Sequence, residues 1–421
     1  MTGVLSRSGA LWINQWALFL VLVLLTATPI RSHIVVAFLL LYSVAYIVAN
    51  PASRRLTHFD WAVIALLLVY LLSRLPIFLL DVQESRYLSP GAHMAALVPI
   101  YLMLRHLITP SDLSAVRRYM EIGVVLGCLG ALAVALYQTQ VLGNYRADGF
   151  LFSINLSYLS CAMAFLAASL VRGSRLKAWL LLAALAGAIT CVLSLARGGI
   201  LAIPILLMLV LLMNSDRIGW QAISAGVASM LVLAMIAYAT LPNVQDRVAY
   251  TVAEVTNLAE GNRAAAVSTG GRLQLWTAAS HAFMARPLIG LSYEERETLN
   301  AALVEQGMLT EWVLSVSRGH AHSQYFEMAA TGGVLGLLAL MGYLVVPGVY
   351  HWRLYRRDRE NIWAQAGLVF TAGFALYNLT EAAIHHEMMT TFYAYMQVVF
   401  VVMAKAYRRA EAGATASFTS H

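Results

Sequence analysis

The chain has 421 residues, of which 60% are hydrophobic and only 12% charged, with a mean hydropathy of +0.70. A soluble domain carries roughly 25% charged residues, so an ordinary cytosolic enzyme is excluded. The net charge of +7 does not point to nucleic acid, because the basic residues sit in short loops between apolar runs, the pattern that orients a membrane protein.

A helix that spans a bilayer needs about 20 mostly apolar residues. Twelve stretches qualify as candidates: 13–30, 33–50, 60–80, 91–107, 121–141, 152–171, 178–195, 199–213, 220–241, 322–350, 363–381 and 390–407. The first runs into Arg31 and a second span without a small-residue cleavage site, so it reads as a helix and not as a signal peptide. The eighth is short enough to be tilted or re-entrant. With the N-terminus placed in the cytoplasm, seventeen of the twenty-eight lysines and arginines face inward and four lie in short outer loops. That bias puts both termini in the cytoplasm. The expected fold is an all-α polytopic membrane protein of about twelve spans, a single membrane domain over 1–421. A large outer insertion at 242–321 lies between spans nine and ten and contains amphipathic helices. Residues 411–421 read as a disordered tail. The three cysteines, Cys128, Cys161 and Cys191, fall in apolar runs without ligand spacing and read as small core residues.

The few outer cations are informative. Arg74 lies inside the third span, where an arginine costs roughly 2.5–3.5 kcal/mol on insertion scales, so it must pair or line a polar cavity. Arg86 and Arg146 stand at outer span ends, where arginines commonly snorkel to the interface. Arg197 sits in the turn Ser194-Leu195-Ala196-Arg197-Gly198-Gly199, whose glycines let backbone approach a ligand. In the insertion, Arg272, Trp276, Ala279 and Phe283 recur at helical spacing, so 272–286 reads as an amphipathic helix stopped by Pro287. Arg272 would then mark a helix start, where free N–H groups and a guanidinium make an anion site.

Arg318-Gly319-His320-Ala321-His322-Ser323-Gln324 follows at the boundary of span ten, and His385-His386-Glu387 occupies the last outer loop. His-x-His raises the question of zinc, but residues two apart on a helix do not share a face and the sequence shows no third ligand at fitting spacing; no metal is assigned. There is no Asp-x-Asp pair for a divalent ion, no Walker-type loop and no hydrolase elbow.

His322-Ser323, nine residues, Gly333, two residues and Gly336 make the pattern H-[NSQ]-x9-G-x-x-G. This pattern, in a chain of this plan, resembles the O-antigen ligases of the O-antigen ligase and polymerase superfamily. Arg197 in its Ser-x-x-Arg-Gly turn, Arg272 before Trp276, Pro287-Leu288-Ile289-Gly290, and Arg146 with Gly149 and Asn155 are similar to the family's elements. The resemblance implies an inner-membrane glycosyltransferase. It would move glycan from undecaprenyl diphosphate to a lipid A core sugar at the periplasmic face, with inversion and without metal, nucleotide or other cofactor. The residues agree. Arginine binds phosphate through two oxygens at once, so Arg197 and Arg272 are the candidates for the diphosphate. His322, near a helix start, is the candidate general base. Arg146, Arg86, Arg318 and His320 form a second tier, with His385 and Glu381 as helpers. A polymerase or a protein O-oligosaccharyltransferase of the same superfamily is the nearer alternative, and a lipid-linked glycan transporter the more distant one. The Arg296-to-Gly307 spacing resembles one polymerase element, at a frequency expected by chance.

Overall fold

The computed structural model describes residues 3–81, 84–261, 267–316 and 320–418, and no strand occurs among them. The chain is an all-α polytopic membrane protein. Its first helices are α1 (Arg7–Ala27), α2 (His33–Ala49), α3 (His58–Leu80), α4 (Ser89–Ala95) and α5 (Leu97–Leu107). Then come α6 (Leu113–Leu136), α7 (Ser153–Leu170), α8 (Lys177–Leu193), α9 (Arg197–Met213) and α10 (Ser215–Thr240). Four helices occupy the 242–321 insertion: α11 (Pro242–Ala259), α12 (Val267–Ala285), α13 (Tyr293–Glu305) and the single turn α14 (Trp312–Ser315). The chain closes with α15 (Gln324–Arg357), α16 (Ile362–Thr380) and α17 (Glu387–Phe418).

All twelve expected stretches are helical, but they are not twelve equal spans. Among the described residues eight helices are long and apolar enough to cross a membrane, or nine if the pair Arg197–Met213 and Ser215–Gln221, bent by 114°, counts as one. α2 and α8 are shorter, at 17 residues each. The stretch expected at 91–107 divides into α4 and α5 at Ala96. Pro99, which has no N–H to donate one turn back, accounts for that break. α17 continues helically to Phe418, past the start of the expected tail.

α1 packs on α6, α7 on α8, and α15 on both α16 and α3. The windows of α7 and α17 are 83% and 89% buried, whereas Ile223–Thr240 in α10 is 6% buried and turns its apolar side chains outward. α15 is broken at Gly333, where φ is +57°. A strap before α13 fills the break: Val334 N–H donates to Pro287 O (2.7 Å) and Leu335 N–H to Leu288 O (3.2 Å). A Cβ at Gly333 would lie 2.4 Å from that Pro287 oxygen. Gly333 of the motif therefore seats the Pro287–Gly290 strap. The same break resolves Arg74, whose Nη1 donates to Thr331 O at 2.6 Å and whose guanidinium lies 5.2 Å from the Tyr87 ring.

Candidate functional site

The site forms where the starts of α7 and α9 and the end of α16 meet α12 and the segment entering α15. Gly198 makes the closest approach: a Cβ there would lie 2.2 Å from Thr380 Oγ1 and 2.3 Å from Tyr158 Oη. Those two hydroxyls are hydrogen-bonded at 2.9 Å. The Arg197 turn is thus pressed against the last residue of α16, and the residue after it is Glu381.

Glu381 organises the centre. Its side chain is 2% exposed. One oxygen contacts His322 Nδ1 at 3.1 Å, and the other receives His320 Nε2 at 3.2 Å and the Ala382 N–H at 3.0 Å. Burial works against the charged carboxylate, but the His322 hydrogen bond, the two imidazoles and the backbone N–H outweigh it and hold Glu381 at about 2. Burial also lowers His320 to about 4, against the pull of Glu381, and lowers His385 and His386. His322 N–H donates to His320 Nδ1 at 3.2 Å. With Nδ1 an acceptor, the His320 proton belongs on Nε2, facing Glu381. His322 has a φ of +46°, unusual for a residue with a side chain, and such strain gathers at functional positions.

Two further contacts fix the histidine segment. Ala321 N–H donates to Glu327 Oε2 at 2.9 Å, and Glu327 Oε1 is paired with Arg296 at 3.0 Å. Trp276 Nε1 donates to Ala321 O at 3.0 Å, while its indole stacks on Phe326. The segment is thereby gripped at Ala321, the residue before His322, from α13, α15 and α12.

The structure gathers some expected residues and separates others. His322 and His320 share Glu381. Arg272 lies half-buried within Coulombic reach of Tyr158, and no hydrogen bond or ion pair joins it to the described residues. Its helix begins at Val267, not at Arg272, so the expected anion site at a helix start is corrected: Arg272 lies in the second turn. The N–H groups of Ser268 and Thr269 in the first turn are taken by Glu254 Oε1 at 2.6 and 3.1 Å. Arg197 is not open either. It binds Glu254 at 2.7 Å and the hydroxyls of Ser268 and Thr269. Burial opposes the Glu254 charge, but Arg197 and these donors hold it at about 2.

Arg86 binds Glu84 through Nε (2.8 Å) and Nη2 (2.9 Å) and lies over Tyr293. Arg146 is exposed and 3.6 Å from Asp148, with no contact to His322 or Glu381. Arg318 lies outside the described residues. Ligand atoms of His320, Glu381 and His386 all lie within 4.8 Å of one another, a grouping that includes one histidine of the His-x-His pair and not His322. Sequence reasoning missed Glu254, Glu327, Tyr158 and Thr380. Glu254 carries no local signal at all, since it sits in a polar helix among other charges.

Residues 181–341 match the family model described as O-antigen ligase. The chain carries an O-antigen ligase superfamily domain. The matched segment contains Arg197, Arg272 and His322; Glu381 and His386 lie beyond it. An uncharacterized protein of Haemophilus influenzae is 23% identical over 220 residues, which is 51% of this chain and 53% of the relative. The chain thus spans about half the length of the curated relative it matches.

Proposed function

We propose that the protein is an inverting, metal-independent glycosyltransferase of the inner membrane that moves O-antigen glycan from undecaprenyl diphosphate to a sugar of the lipid A core. The site faces the periplasm and both termini lie in the cytoplasm, as the bias of basic residues requires. The 242–321 helices form a periplasmic insertion in one membrane domain. The observation that carries the mechanism is the contact of His322 Nδ1 with the buried Glu381 carboxylate at 3.1 Å.

With Nδ1–H donated to Glu381, the Nε2 lone pair of His322 is left to take a proton. The acceptor hydroxyl attacks the anomeric carbon on the face opposite the diphosphate. The new glycosidic bond forms, the bond to the diphosphate oxygen breaks with its electron pair, and the hydroxyl proton passes to His322 Nε2. Glu381 stabilises the imidazolium that results, in the manner of a carboxylate behind any histidine base. Arg272, which has no carboxylate partner among the described residues, meets the charge growing on the leaving diphosphate, which lowers the transition state more than the ground state. Arg197 contributes from its Glu254-bound position, chiefly by fixing the first turn of α12.

Purified protein in detergent, given undecaprenyl-diphosphate glycan and lipid A core with EDTA present, should yield glycan-bearing lipid A core. Growth of glycan on the carrier with unmodified core would replace this reading with a polymerase. No new bond under any condition would favour a transporter.

A further inference from the structure

We propose that His320, Glu381 and His386 form an inhibitory binding site for a divalent transition metal of the Zn2+ class. The proposal rests on the transferase reading above for its inhibitory effect, but not for the binding. Three donors converge: a buried carboxylate and two imidazoles, all with ligand atoms within 4.8 Å of one another. Two histidines and one carboxylate with further positions open to water is an established zinc donor set. Metal bonds of about 2.0–2.2 Å at near-tetrahedral angles put two donors about 3.3–3.5 Å apart. His320 Nε2 and Glu381 Oε1 already stand at 3.2 Å, so an ion can replace the proton between them with little movement. The His386 ring, 5.8 Å from that of His320 by centroid and 86° to its plane, closes the third position by side-chain rotation. The chain distribution favours a site: His386 immediately precedes α17, Glu381 caps α16, and His320 precedes α15.

Inhibition follows from the hydrogen bonds the ion displaces. His320 now carries its proton on Nε2, because Nδ1 accepts the His322 N–H. Metal on Nε2 sends that proton to Nδ1, so two N–H groups face each other and the His322 backbone must move. The same ion draws negative charge from Glu381, the carboxylate that holds the His322 ring. Both changes act on the proposed base without touching Arg272.

Co2+ is the probe for binding and Zn2+ for inhibition, on the full chain purified in detergent after EDTA treatment. The expected result is a visible Co2+ absorption band that Zn2+ abolishes, together with a Zn2+-dependent loss of transfer that EDTA reverses. His386→Gln should raise both the Co2+ dissociation constant and the half-inhibitory Zn2+ concentration by about tenfold or more, each measured relative to the same variant without metal. His58→Gln, at an exposed histidine of the opposite end, should shift neither. Absence of the Co2+ band, an unchanged response in His386→Gln, binding without inhibition, or activation by Zn2+ would each overturn the proposal. A band lost in His386→Gln, from a protein that performs no transfer, would uphold the metal site and sink the transferase reading instead.

Discussion

The two ends of the bundle each bury a carboxylate, and the partners differ. Asp60, at the start of α3, is fully buried and receives Arg105 (2.7 Å), Tyr101 (2.7 Å), and both the N–H and hydroxyl of Thr57 (2.7 and 2.6 Å). Arg105 continues to the carbonyls of Ser53 and Arg55. Every strong donor there is permanently protonated at neutral pH, so the cluster is a lock between α3, α5 and the preceding turn. Glu381, at the other end, is held mainly by two imidazoles, side chains that can pass a proton from one ring nitrogen to the other. Equal burial therefore carries opposite meanings: the first carboxylate fastens helices, and the second can answer a proton transfer.

Substitutions should separate these roles. The largest expected effect is on turnover at the second site. His322→Ala should lower kcat by about 10²–10⁴-fold, the usual worth of a general base, with little change in melting temperature. A stable variant with full activity would remove His322 from the chemistry. Next, Asp60→Asn leaves Arg105 buried against a neutral group, and breaking such a pair costs about 3–5 kcal/mol. Thermal unfolding should shift downward while the activity of the remaining folded protein stays near wild type.

The two arginines divide along the same line. Arg272→Ala should reduce transfer by about 10²-fold or more, as loss of a preorganised charge does elsewhere, without lowering stability. Arg197→Ala should lower stability as well, because Glu254 then stays buried without its cation. Equal melting temperatures for the two variants would contradict the part assigned to Glu254.

Acid sharpens the comparison further. His320 is lowered to about 4 and Glu381 to about 2 in the folded chain. The unfolded chain binds the extra protons first, near 6.5 and 4.5 for these groups, so stability falls as pH falls through those windows. The melting temperature should drop from pH 7 to pH 5, and His320→Gln should reduce that drop. The smallest effect belongs to Arg146→Ala, expected to change transfer by less than about twofold, as befits an exposed ion pair.

Much of this was legible in the sequence. Apolar runs located the long helices of the bundle, though not α11, α13 or α14 of the insertion, since the bilayer demands length and hydrophobicity that composition displays directly. His322 stood out through its glycine spacing, and Arg272 through its position before Trp276. What was illegible depends on contacts far apart in the chain. Arg197 read as open because Glu254, fifty-seven residues on, leaves no periodic or motif signal. The start of α12 was misplaced because Gly270 and Gly271 look like a helix stop, yet the helix runs through them with Gly271 packed against Trp312. The meeting of His320 with Glu381 and His386 was illegible because about sixty residues of chain separate them, although each was visible by itself.

The proposed chemistry needs His322 and Glu381 to act as one unit, and a double-substitution cycle on kcat tests that most directly. His322→Ala, Glu381→Gln and the pair should be measured under saturating donor and acceptor with EDTA. If the carboxylate works only through the imidazole, the double variant is no slower than His322→Ala alone. If the two losses multiply instead, Glu381 acts independently of His322 and the proposed base is not built from this pair.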